Sequence, residues 1–178
     1  MLPSLSAIAL SLLSLSSYSY ATSTCNMSGN LTSTNGIGST PVQRHYISSD
    51  QASAIVAAAA KSAATIVPQN IAVVDPSGLL VAFLRMDNAY PGSIDISIKK
   101  ARTSVLFNGI PSAALYNQSQ PGAALYGIEE TNGGLVIFGG GLPLVKDNYL
   151  IGAIGVSGGT VAQDEEVAQA GVSWLMNS

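Results

Sequence analysis

Two periods alternate along the chain from Ser48 onward, and each predicts a different kind of element. Ala52, Ile55, Val56, Ala59, Ala63 and Ile66 recur at helical spacing, with Ser48 and Gln51 placed as a capping box and Pro68 as the stop. Residues 71–75 and 79–85 are short apolar runs around Pro76-Ser77-Gly78, the composition of a tight turn, and predict a β-hairpin. After Pro91-Gly92, residues 93–107 place Ile94, Ile98, Ala101 and Val105 on one side with Asp95 in the first turn, which predicts a second helix with a capped start. Residues 111–116 and 123–130 predict short helical turns broken by Pro and Gly. Residues 135–138 and 149–156 predict strands joined through Gly139-Gly140-Gly141-Leu142-Pro143. Val167, Ala168, Val172 and Leu175 predict a last helix over 163–176, capped by Asp164, Glu165 and Glu166 near its positive end. Neighbouring strands with helices before, between and after them give an α+β fold: a mainly antiparallel sheet with helices packed against it.

The amino terminus has neither period. Residues 1–21 form an apolar, serine-interrupted run ending in Ser19-Tyr20-Ala21, and read as a signal peptide; the run falls short of the ~20 apolar residues a membrane span needs. Residues 22–44, rich in Ser, Thr, Asn and Gly, read as a flexible leader, and residues 45–178 as the folded domain. A secreted protein is therefore expected, with no membrane attachment after cleavage. Asn26, Asn30 and Asn117 head Asn-X-Ser/Thr triplets and are candidate glycosylation sites if the chain enters a eukaryotic secretory route. Cys25 is the only cysteine, so neither an intramolecular disulfide nor a thiolate metal cluster can form.

Composition narrows the function. Only 10% of residues are charged, the formal charge is −3, and no basic cluster exceeds Lys99, Lys100 and Arg102, which argues against a nucleic-acid-binding face. Abundant Ala, Gly and Ser suggest close packing and extensive burial, with room for subunit contacts; a homo-oligomer is the expectation once the resemblance below is added. No Walker loop or dinucleotide fingerprint is present, and Ser157 sits in no nucleophile elbow.

Five segments, in order, carry a resemblance: residues 72–78 (AVVDPSG), 85–89 (RMDNA), 100–104 (KARTS), 138–144 (FGGGLPL) and 151–159 (IGAIGVSGG), followed by Asp164. Together they resemble the GlcG/HbpS-like family, which includes the carboxy-terminal domain of PduO-type proteins. The resemblance implies a profilin-like α/β/α sandwich, oligomers, and links to haem binding, haem degradation, and corrinoid or glycolate pathways. Haem or a similar small ligand is the partner it implies.

The candidate site residues follow from these motifs and from the single histidine. His45 is the only imidazole available as an axial ligand to haem iron, although a histidine at the edge of a leader also reads as a surface residue. The polar motif residues Arg85, Asp87, Lys100 and Thr103, with Gly140, Gly141 and Ser157, are the other candidate ligand contacts. Under a ligand-binding reading, Arg85 and Lys100 suit haem propionates. Under a structural reading, Asp87 accepts backbone amides in the turn before the second helix while Lys100 pairs with it, and the glycines make tight strand turns. An alternative function is a cofactor-independent enzyme, of isomerase or cyclase type, acting on a small oxygenated metabolite, with Asp87 as general acid or base and Arg85 as oxyanion partner.

Overall fold

A computed structural model describes residues 45–178. The expected signal peptide (1–21) and leader (22–44), with Cys25 and the triplets at Asn26 and Asn30, lie outside the described residues. The elements run α1 (Ser49–Ala63), β1 (Asn70–Val74), β2 (Leu80–Arg85), α2 (Ser93–Leu106), two short 3-10 turns (Ser112–Leu115 and Ile128–Glu130), β3 (Gly141–Lys146), β4 (Tyr149–Ser157) and α3 (Val161–Met176). The four strands form one sheet in the order β2-β1-β4-β3, antiparallel at every pairing.

Central strands explain the continuous apolar runs. Every residue of β1 is buried, because the sheet is covered on both faces. Ile71 and Val73 face α1 and α3, where they join Ile55, Ala59, Ile154, Val156, Val167 and Leu175 in the main core. Val74 and Ala153 face α2 and pack on Ala101 and Val105. Fully burying a side chain such as Ile71 or Ile154 contributes about 1.5–3 kcal/mol, and both are 0% exposed.

Local chemistry sets the ends of the outer helices. Ser48 with Gln51 and Thr160 with Gln163 each form a complete capping box. The final helix thus starts at Val161 rather than 163, and its cap is Thr160 and not the acidic triplet. The first helix ends at Ala63, before Pro68 is reached. At the start of α2 no side chain caps Gly92, contrary to the sequence expectation; Asp95 instead pairs with Lys99 at 2.8 Å, one turn on.

The strand assignment after α2 also changes. Residues 135–138 are not a strand, and β3 begins at Gly141, inside the segment expected to be a connection. The reason is where their backbone bonds go: Leu135 N–H donates to Glu129 O and Val136 N–H to the Thr103 hydroxyl, which ties the segment to its own loop and to α2. Pro143 is tolerated in β3 because that strand is an edge. Asp147 and Asn148 close the β3–β4 hairpin with φ of 50° and 65°, the pair of left-handed residues a two-residue turn requires.

One short segment positions the site described below. Pairing of β1 with β4 stops at Val74 opposite Ala153, and Ile47 N–H donates to Ile151 O at 2.9 Å. Residues 45–47 therefore run beside the first part of β4 before α1 begins. No helix among the described residues is long and apolar enough to cross a membrane.

Candidate functional site

The sequence-derived candidates fall into three separate places. The first is a buried polar node between α2 and α3. Lys100, 0% exposed, donates from Nζ to Asp164 Oδ2 at 2.6 Å and to Val156 O at 2.9 Å, and its ammonium lies 4.8 Å from the centre of the Phe138 ring. Asp164, 2% exposed, accepts on Oδ1 from Gly159 N–H at 2.9 Å. Burial pushes the Asp164 carboxyl above the ordinary carboxylate range and the Lys100 ammonium below its usual value, outweighing their mutual attraction.

The glycine segment is shaped around this pair. Gly140 adopts a φ of +111°, and a Cβ there would lie 2.6 Å from Val156 O and 2.8 Å from Lys100 Nζ. A Cβ on Gly141 would press into the Lys100 carbonyl, while its N–H donates to Ser112 Oγ, which donates in turn to Phe138 O. Thr103 is buried, donating to Lys99 O and accepting from Val136 N–H. Ser157 closes β4 opposite Asn70 and is buried too. This node locks α2, β4 and α3 together. It corrects the expectations for Lys100: the ammonium is committed to Asp164 rather than Asp87, and it is not available at a surface for a haem propionate.

The second place is the exit of β2. Arg85 is exposed and its guanidinium donates to Ala89 O at 3.2 Å, closing the turn that carries Asp87. Asp87 is exposed, and the two side chains form no ion pair among the described residues.

The third place is a surface cleft of about 320 Å³ lined by His45, Tyr46, Gln51, Lys146, Asp147, Tyr149 and Ile151. The Ile47–Ile151 bond carries His45 over β4, where its ring stacks on Tyr149 with centroids 3.7 Å apart and planes 20° apart. Aromatic and apolar walls come from Tyr46, Tyr149 and Ile151, and charge from Lys146 and Asp147. An exposed imidazole of fixed ring plane, beside apolar walls and a cation, suits a flat, partly apolar ligand able to use a nitrogen donor. No group of three His, Cys, Asp or Glu able to hold a bare metal ion occurs among the described residues.

Sequence reasoning singled out His45 but missed Tyr149, Lys146 and the partner of Lys100. The strand read over 149–156 already began at Tyr149, but nothing in the sequence pattern placed His45 against it. Asp164 lies 64 positions from Lys100, a pairing no local pattern reveals. Asn117 lies exposed on the turn after the first 3-10 segment.

Comparison with known proteins adds an independent line. The chain is 45% identical over 104 residues to an uncharacterised 15.0 kDa protein from the dhaT-dhaS intergenic region of Citrobacter freundii, covering 58% of this chain and 72% of that one. Among solved structures, the Klebsiella pneumoniae protein ORFY superposes with a TM-score of 0.72 at 39% identity, over 76% of this chain and 94% of that one. A PduOC:heme complex superposes with a TM-score of 0.68 at 37% identity, over 72% of this chain and 94% of that one. The model of the family described as haem-degrading protein HbpS-like matches residues 47–173, which span the sheet and nearly all of its covering helices, and the chain belongs to the HbpS-like family.

Proposed function

We propose that the protein binds haem, or a closely similar flat ligand, in the His45 cleft. One observation carries this reading: the chain's only histidine is exposed, stacked on Tyr149, and set in a cleft with Tyr46, Ile151 and Lys146. The donor set fits the group. Imidazole is a usual ligand of haem iron, apolar walls suit the macrocycle, and a cation suits its carboxylate edge. Family membership and the haem-bound PduOC relative support the same choice. When bound, haem would supply the iron chemistry; the protein's part would be to hold the exposed imidazole in place, cover one face of the ring and orient its acidic edge.

The same proposal places the protein outside the cell that makes it, on the strength of residues 1–21, and in a homo-oligomer. The β2 edge, with Leu80 and Leu84 exposed, is in keeping with assembly. Sedimentation of the full chain tests that element, and a monomer at micromolar concentration removes it.

The direct test of ligand binding is titration with haemin. Wild-type protein is expected to shift the Soret band at micromolar ligand, and His45→Ala to lose the shift while keeping its circular dichroism spectrum. An unshifted Soret band in the wild type overturns the proposal.

A further inference from the structure

Lys146 has a feature that the haem reading does not require. It lines the His45 cleft, yet its Nζ donates to Leu175 O at 3.3 Å, a carbonyl in the last turn of α3, and to the backbone oxygen of Ser178 at 2.7 Å, two residues past that helix. The Leu175 carbonyl lies at the negative end of the helix dipole, so a cation is stabilised there. An ammonium has three donors, and these bonds use two.

We infer that Lys146 is the anion-recognition residue of the cleft, a positioning group preset by the end of α3, and that it selects flat ligands bearing a carboxylate over their neutral esters. The inference rests on the haem reading for the site and adds to it a property of Lys146, the discrimination of acid from ester. A free lysine on a surface loses side-chain entropy when it pairs, whereas Lys146 is already held by the backbone oxygens of Leu175 and Ser178, so a ligand carboxylate meets an ordered donor. It completes the tetrahedral set of the ammonium without breaking the helix-end bonds. Asp147, exposed beside Lys146 on the same cleft, works against an anionic ligand. Among the described residues, Lys146 and Asp147 are the Lys, Arg, Asp or Glu side chains that line the cleft. The recognition is therefore a balance between one cation and one anion on adjacent residues of a tight turn.

The test compares haemin with haemin dimethyl ester on the full chain, for the wild type, Lys146→Met, Lys146→Arg and Asp147→Asn. Lys146→Met is expected to weaken haemin about 3–10-fold, the range of a partly exposed charge-assisted hydrogen bond. It should also flatten the loss of haemin affinity between low salt and roughly 0.5 M salt. The ester should bind the wild type and Lys146→Met equally, with the Soret position unchanged, because the imidazole is untouched. Lys146→Arg should restore most of the preference for the acid, and Asp147→Asn should tighten haemin but not the ester. Equal haemin affinity in the wild type and Lys146→Met overturns the inference and leaves the haem reading standing. An equal loss for acid and ester also overturns it, since it marks damage to the end of α3 rather than charge recognition. No Soret shift in the wild type with either ligand overturns the haem reading, and this inference with it.

Discussion

Lys100 and Asp164 pay a desolvation cost that only a good fit offsets. Their 2.6 Å contact, the Val156 carbonyl, the Gly159 amide and the Phe138 ring supply that fit. Removing one partner leaves a buried charge, so Lys100→Met is expected to destabilise by about 3–5 kcal/mol, whereas Lys100→Met with Asp164→Leu together is expected to recover most of that loss. Urea unfolding of the two variants checks this, and a double variant no more stable than Lys100→Met contradicts it. The pair also sets a pH signature. Burial raises the Asp164 pKa above 3.8, so the folded state keeps a proton that the unfolded chain has already lost. The contribution of this carboxyl to stability therefore falls as pH rises from 3.8 through its raised pKa. Lys100 is lowered from 10.5, so its contribution rises as pH climbs through that lowered pKa toward 10.5. The stability of the wild type relative to Asp164→Asn should accordingly shrink as pH rises from 3.8 through the raised pKa of Asp164, and a difference that grows with pH there would mean a depressed carboxyl.

Helix α2 shows how an element can be legible while its buried face is legible only in part. Its span was read to within a residue, but its apolar positions Ile94 and Ile98 are only partly covered. The side chains turned to the sheet include Ser93, Ser97, Lys100, Ala101 and Ser104. The cause lies on β4, where a Cβ at Gly155 would press into the Ser97 carbonyl and sit 2.6 Å from Ala101 N. Helix and strand backbones are nearly in contact there, so small residues fill the gap, and hydrophobic periodicity finds Ala101 and Val105 in the core but overstates the burial of Ile94 and Ile98. Gly155→Ala is thus expected to cost about 1–3 kcal/mol or more through overpacking, read as a lower urea midpoint at unchanged m-value. A shift within ~0.5 kcal/mol, the scale of a surface change, would contradict the close approach. The strand expected over 135–138 fails for a related reason: an apolar run is ambiguous until its backbone partners are known, and these belong to Glu129 and Thr103.

At the scale of the molecule, the fold class was legible because ordered motifs and two clear periods agreed, while the site was only half legible. The motif residues Lys100, Thr103, Gly140 and Gly141 read as ligand contacts, yet they serve the packing of α2 against β3, β4 and α3. Motif residues can mark the fold of a family rather than its ligand. The cleft that remains open is built by chain segments far apart in sequence, His45 before α1 and Tyr149 at the start of β4. Its use as a haem site is the central claim, and absorption titration with haemin tests it most directly. The account predicts a saturable Soret shift in the wild type at micromolar haemin that His45→Ala abolishes without loss of fold. A wild-type spectrum that remains the sum of free haemin and protein, or an equal shift in His45→Ala, would contradict it.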